Sequence, residues 1–409
     1  MLEPVTLPRP LGAVEQAFWL KDQCMPYHFA VCAEIEGATT IAAWRSALAM
    51  VQRRHPHFSV RIDVDSSGVS WFFPAKDVPL PLRVVMSDNP RWEAEMAREL
   101  AIPFESRQAP LVRAVLLFRP YRSFLVLVAH HSIADTKSLV FTIRDALQAL
   151  SGQQLDPLPP IGPLDTMLQP FQAPAGASDQ ATFAAAGPLE AYRDRDTAVP
   201  VIKALVMAPK LTDRLRQRCR AEGTTVHGAL VAASVEAGRH LSDRLKGSTI
   251  TVGSAVDVRT AVGGDEHVAL LSGGGSIAVE PPMQDFWDIA RFARHSIAPM
   301  QSPVAMAGLM AGLADHLSTH RSAQDAQALF AGFRFDINIS NLGVLPIETR
   351  FGDLRFKRLW GPSILAGFEG EQQIGAATMH GSISLLHTSY TPLPSLLESM
   401  HEHLAAACR

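Results

Sequence analysis

Cysteine is scarce: four residues, at 24, 32, 219 and 408, are scattered over 409 positions with no Cys-x-x-Cys pair. That spacing excludes a disulfide framework and a cysteine-based zinc site, and it fits the reduced thiols of a cytoplasmic protein. Long apolar runs are also missing. The stretch from Phe124 to Ala129 is among the most apolar, yet it is strand-sized and far below the ~18 residues of a membrane helix, so no span is expected. Neither sign of charge dominates: Lys+Arg 37 against Asp+Glu 40 leaves a net charge of -3. Such a balance gives no global field to draw in nucleic acid, and no nucleic-acid partner is expected. The N-terminus, MLEPVTLPRPLG, has no basic segment leading into an apolar one, and no signal peptide is expected. GxGxxG at a strand-to-helix turn and the GxSxG elbow are both lacking. His316 and His320 stand at i, i+4, but Leu317 replaces the glutamate of HExxH and no third ligand is evident, so no metal site is expected.

What is present reads as a large globular core, 47% hydrophobic and 19% charged. The length exceeds a usual single core, which predicts two domains or coupled subdomains. Ile41, Trp44, Leu48 and Val51 form one helical stripe, with Thr39 or Thr40 as cap and His55-Pro56 as the stop. A second helix is predicted over 92–101. Leu111 to Phe118 and Phe124 to Ala129 read as a hairpin, buried on both faces in its second arm. A helix carrying Leu139, Ile143, Ala146, Leu147 and Leu150 follows. From about 152 to 200, Pro, Gly and Ala replace periodicity, as in a surface linker. The second half alternates strands (201–207, 249–256, several between 333 and 391) with helices (211–221, 225–240, 284–298, 395–407). Arg214, Arg216, Arg218 and Arg220 make the 211–221 helix basic; a solvated face is the reading preferred over a contact with an acidic carrier protein or with the phosphates of coenzyme A.

The chemistry concentrates in Phe124-Leu-Val-Leu-Val-Ala-His130-His131-Ser-Ile-Ala-Asp135-Thr136. A buried strand delivers two histidines at its end, on a rigid element facing an opening. Histidine suits proton removal because its ordinary pKa lies near neutrality. Asp135 can orient the imidazole, or bridge to a cation and fix the loop. It is the one His-x-x-x-Asp in the chain. By itself the pattern also fits a plain strand-end histidine, with Asp135 capping the next helix.

HHSIADT resembles the HHxxxDG motif of nonribosomal-peptide condensation domains, shared with chloramphenicol acetyltransferase-like enzymes and polyketide-associated acyltransferases such as phthiocerol dimycocerosyl transferase. The likeness runs through nearly the whole chain: PRPLGAVEQAF at 8–18, Arg54-His-Pro56, Ile102-Pro-Phe104, Val256-Asp-Val-Arg259 and Ser340-Asn-Leu-Gly343. It implies an α/β fold of two chloramphenicol acetyltransferase-like subdomains in a V shape with a tunnel between them. The N-terminal subdomain would span 1–160, the linker 161–199 and the C-terminal subdomain 200–409. It implies an acyltransferase that forms an ester or amide from a thioester on a phosphopantetheine carrier protein or coenzyme A, with a small alcohol or amine as acceptor. No bound cofactor is implied, and the expected state is a cytoplasmic monomer. His131 takes the catalytic role by position, His130 a supporting one. Asp135 orders the loop, with Arg259 as its partner. Ser340, Asn341, Trp360 and Gly361 match substrate-binding segments. Thr136 departs from the motif glycine, which predicts a different turn or a reshaped site. A non-catalytic carrier-binding module, and a hydrolase or dehydratase on the same scaffold, are the alternatives.

Overall fold

The protein is described from a computed structural model, for residues 5–409 without 87, 88, 90, 173–188, 265, 282 and 284. The Ala/Gly/Pro part of the expected linker, 173–188, and the start of the expected helix at 284 lie outside the described residues.

The run from Phe124 to Ala129 belongs to the strand Arg122–His130, buried at every residue after Arg122. It lies between His28–Glu36 and Val112–Phe118, antiparallel to both, so each backbone edge is hydrogen-bonded. Its side chains alternate between two cores. Leu125, Leu127 and Ala129 join one apolar cluster, and Phe124, Val126 and Val128 another. A strand buried on both faces reads as a continuous apolar run, as this one does. Replacing Leu127, which is fully buried, with Ala is expected to cost about 2–5 kcal/mol.

This strand sits inside a six-stranded mixed sheet with the order Arg350–Phe351, Leu354–Ile364, His28–Glu36, Arg122–His130, Val112–Phe118, Leu82–Met86. Helices Ile41–Arg54 and Thr136–Leu150 belong to one side of it, and Trp92–Leu100 packs on the other. Thr40 caps the first of these by accepting from the Ala43 N–H at 3.1 Å, and His55 turns extended before Pro56. A second six-stranded sheet runs Ser272–Val279, Ile250–Asp257, Ile337–Val344, Gln372–Met379, Ser382–Ser389, Val201–Met207. Leu354–Ile364 therefore crosses from the second half into the first sheet, pairing with His28–Glu36 through two register shifts.

The architecture is mixed α/β with two mixed sheets. Helices Ala13–Cys24, Pro303–Thr319 and Ala323–Ala331 pack together; the sequence reading named none of them. Within the linker region, Leu164 and Leu168 are buried on a short helix and its cap rather than lying on the surface. No single described helix is long and apolar enough to cross a membrane.

Candidate active site

Strand alternation separates the two histidines. His130 keeps the parity of Val126 and Val128 and is fully buried. The Ser132 N–H donates to its Nδ1 at 3.1 Å, which leaves the ring proton on Nε2, 3.4 Å from Asp22 Oδ2. Asp22 also accepts from the Tyr27 N–H at 2.6 Å.

His131 takes the opposite side. Its backbone N–H donates to the Tyr27 carbonyl at 3.2 Å. Its Nδ1 lies 3.0 Å from the Ala134 carbonyl. A carbonyl only accepts, so Nδ1 carries the proton and Nε2 keeps a lone pair. Phe18, Tyr27 and Phe29 surround the ring at centroid distances of 4.8, 5.3 and 4.7 Å. Burial among them pushes the His131 pKa down to about 4, so the imidazole is neutral at pH 7.

Asp135 commits both oxygens away from that imidazole. Oδ1 accepts from Ser138 N–H at 2.9 Å, capping helix Thr136–Leu150, and Oδ2 accepts from Leu271 N–H at 3.0 Å. Arg259 Nη2 lies 2.7 Å from each oxygen. Burial alone would raise this carboxyl; the guanidinium and the N–H donors hold it below the usual carboxylate value. Arg259 also donates to the carbonyls of Gly264 and His267 at 2.7 and 2.6 Å. One buried pair thus ties the histidine loop to the second half.

Thr136, the first residue of that helix, has no positive φ. A β-branched residue fits such backbone without strain, so the turn does not require glycine. Its side chain stands on the wall of a cavity of about 220 Å³ beside His131.

That cavity draws on both halves. Phe18, Tyr27 and His131 line it from the first, and Ser254, Gly274 and Ser340 from the second. Ser340 is buried on Ile337–Val344. Its neighbour Asn341 accepts from the Gly343 N–H at 2.9 Å, closing a local turn. Trp360 lies instead in the apolar cluster under helix Trp92–Leu100, stacked on Trp92 at 5.1 Å. Gly361, with φ 122°, holds a backbone that favours glycine, and a Cβ there would press on the Ala30 carbonyl at 3.2 Å and on Val31 at 3.4 Å. His316 and His320 stack at 4.3 Å, and no group of three metal-ligating side chains occurs among the described residues. Arg214, Arg216, Arg218 and Arg220 are exposed, while Leu211, Leu215 and Cys219 are buried beneath them.

Sequence reasoning missed Phe18, Lys21 and Tyr27. Val14, Phe18 and Lys21 all line the cavity from one helix. Their i, i+4, i+7 spacing was the available signal. It also missed His227, whose Nε2 lies 3.0 Å from the cavity-lining Ser254 Oγ. The glycines at 273–275 form part of strand Ser272–Val279, where a Cβ at 273 or 275 would collide with Met306 or Met300. Bare backbone therefore lines this side of the cavity.

No protein-family model matches the chain. Linear gramicidin synthase subunits C and B of Brevibacillus parabrevis are 26% and 29% identical over 176 and 147 residues, or 40% and 33% of this chain. The matched segments span only 2% and 3% of those synthases. Among solved structures, the polyketide synthase associated protein 5 from Mycobacterium tuberculosis superposes with a TM-score of 0.67 at 16% identity, covering 100% of this chain and 99% of that one. The first condensation domain of the CDA synthetase gives 0.69 at 18%, covering 98% and 96%. The epimerization domain from the third module of tyrocidine synthetase B gives 0.67 at 14%, covering 100% and 98%. From end to end, the chain has the fold of the condensation domains of peptide and polyketide synthetases.

Proposed function

We propose that the protein is a condensation-type acyltransferase that moves an acyl group from a thioester to a hydroxyl or amine. The observation that carries this is His131 on the cavity wall, neutral, with Nδ1 held by Ala134 and the Nε2 lone pair left for a reactant. The nucleophile attacks the thioester carbonyl. A carbon–oxygen or carbon–nitrogen bond forms as the carbon–sulfur bond breaks. The nucleophile's proton passes to Nε2 and then to the departing thiolate. General-base help of this kind contributes roughly 10²–10⁴-fold.

Asp135 and Arg259 hold the loop in register and do not relay the proton. Ser340, which lines the same cavity from the second half, donates in this reading to the acyl oxygen, where a fixed dipole in a dry site is most effective. The donor is a phosphopantetheine carrier protein or coenzyme A, and the cavity is the middle of a passage between the two halves. The condensation-domain fold and the gramicidin synthase likeness support a setting in peptide, polyketide or lipid specialised metabolism.

Product analysis tests the reading. Purified protein is incubated with a panel of acyl-carrier and acyl-coenzyme A thioesters plus pooled alcohols and amines, and products are identified by mass spectrometry. An ester or amide supports it. Free acid alone replaces it with a hydrolase, and carrier binding without turnover replaces it with a recruitment module.

A further inference from the structure

Helix Ala13–Cys24 places one formally charged side chain, Lys21, among the described residues lining the cavity; the other lining groups are apolar or neutral. Lys21 is 1% exposed. Its Nζ sits 4.0 Å over the Tyr27 ring, with the Tyr192 and Phe330 rings at 5.7 and 5.9 Å. An ammonium has three N–H donors. Among the described residues one oxygen acceptor meets them, the Ala366 carbonyl at 2.7 Å.

Glu371 offsets the charge without reaching it. Its carboxylate accepts from the Ala366 and Gly367 N–H groups at 3.0 and 2.8 Å, and among the described residues no carboxylate lies within 4.0 Å of Nζ. Burial lowers the Lys21 pKa and raises that of Glu371. Keeping an ammonium out of water costs several kcal/mol, and an apolar residue would pack at such a position at lower cost. The charge therefore calls for an explanation other than stability.

Position supplies one. Nζ is 4.0 Å from the Tyr27 centroid, which is 5.3 Å from the His131 ring, so ammonium and imidazole are no more than about 9 Å apart. A carboxylate on Nζ and a reacting group at Nε2 fit within one small molecule. Resting on the acyltransfer reading, we propose that Lys21 forms an anion subsite that holds a carboxylate carried by one of the two reactants. That reactant is either a hydroxy or amino acid acting as acceptor, or a dicarboxylic half-thioester acting as donor. The surrounding aromatic rings exclude water and strengthen the charge-assisted hydrogen bond.

Calorimetric titration of the whole chain with 3-phenylpropanoate and with 3-phenylpropanamide tests the subsite without turnover. The acid is expected to bind wild type about tenfold more tightly than the amide, which corresponds to 1.4 kcal/mol. That ratio should fall to about one in Lys21→Met and in Lys21→Gln. Equal binding of acid and amide by wild type overturns the proposal, as does a preference kept by either folded variant. Two kinetic arms then identify the source: a hydroxy acid against its methyl ester as acceptor, and a succinyl against an acetyl thioester as donor. A Lys21-dependent preference in one arm assigns the carboxylate to that reactant. Absence of turnover with every thioester counts against acyl transfer, while the titration still decides the subsite.

Discussion

Besides His130 and Asp22, the first half holds two other sets of histidine and aspartate, and they do opposite things. His55 and Asp145 are ninety positions apart in sequence, yet they touch: Nε2 stands 2.8 Å from Oδ2. Arg144 adds a bond to Oδ1 at 2.8 Å, and Arg54 lies 2.9 Å from Oδ2. Glu266, from the second half, pairs with both arginines at 2.9 and 3.0 Å. Of the buried polar atoms of His55, Arg54, Arg144 and Asp145, His55 Nδ1 and Arg54 Nε make no hydrogen bond among the described residues. His131 and Asp135 are four positions apart and turn away from each other, the imidazole to a carbonyl and the carboxylate to Arg259. Close spacing in sequence produced a free base beside an independent clamp. Distant residues produced the closed imidazole–carboxylate contact. The lesson is that the Nε2 lone pair depends on Asp135 being occupied elsewhere.

Breaking the clamp should have the largest effect on stability. Asp135→Ala leaves the buried Arg259 with the looser contact to Asp257, 4.0 Å from its Nε, and is expected to lose about 3–5 kcal/mol in denaturant unfolding. Transfer should fall with it, because the loop that positions His131 loses its anchor. Asp145→Ala should cost less, about 1.5–3 kcal/mol, since Arg54 and Arg144 keep Glu266. Its folded fraction should transfer acyl groups within about twofold of wild type, as expected of a separate site. Equal activity losses in both variants would erase the distinction between clamp and latch.

Acid sharpens the comparison further. Burial lowers the pKa of His131 to about 4 and also lowers that of His55. Both imidazoles bind a proton more readily when unfolded, near the ordinary value of about 6.5. Their contribution to stability is therefore full above that value and declines as pH falls below it toward the folded pKa. Transfer rates should stay level as pH drops through 6.5 and decline only as it nears about 4. Half-maximal activity near 6.5 would place His131 in contact with water. The smallest effect is expected at Thr136: Thr136→Gly should destabilise by about 0.5–1 kcal/mol in thermal unfolding and leave turnover intact.

Much of this was legible because burial left a plain pattern. The apolar run from Phe124 to Ala129 marked a doubly buried strand, and His55-Pro56 marked a helix stop. The likeness of HHSIADT and Val256-Asp-Val-Arg259 to condensation domains pointed to the fold now seen. The crossing of Leu354–Ile364 into the first sheet was not legible, since no local pattern states which sheet a strand joins. Trp360 illustrates the same limit: its stacking on Trp92 depends on that crossing. Lys21 was overlooked because a lysine on an amphipathic helix ordinarily faces solvent. Here the far wall, Phe330 and Ala366, comes from residues more than three hundred positions away.

The most direct test is the single-turnover rate of acyl transfer by His131→Ala, measured beside its unfolding midpoint, with a thioester and acceptor that wild type joins. A rate lower by roughly 10²–10⁴-fold with an unchanged midpoint is the predicted result. A folded variant that transfers within about twofold of wild type would show that the free imidazole nitrogen is not the base.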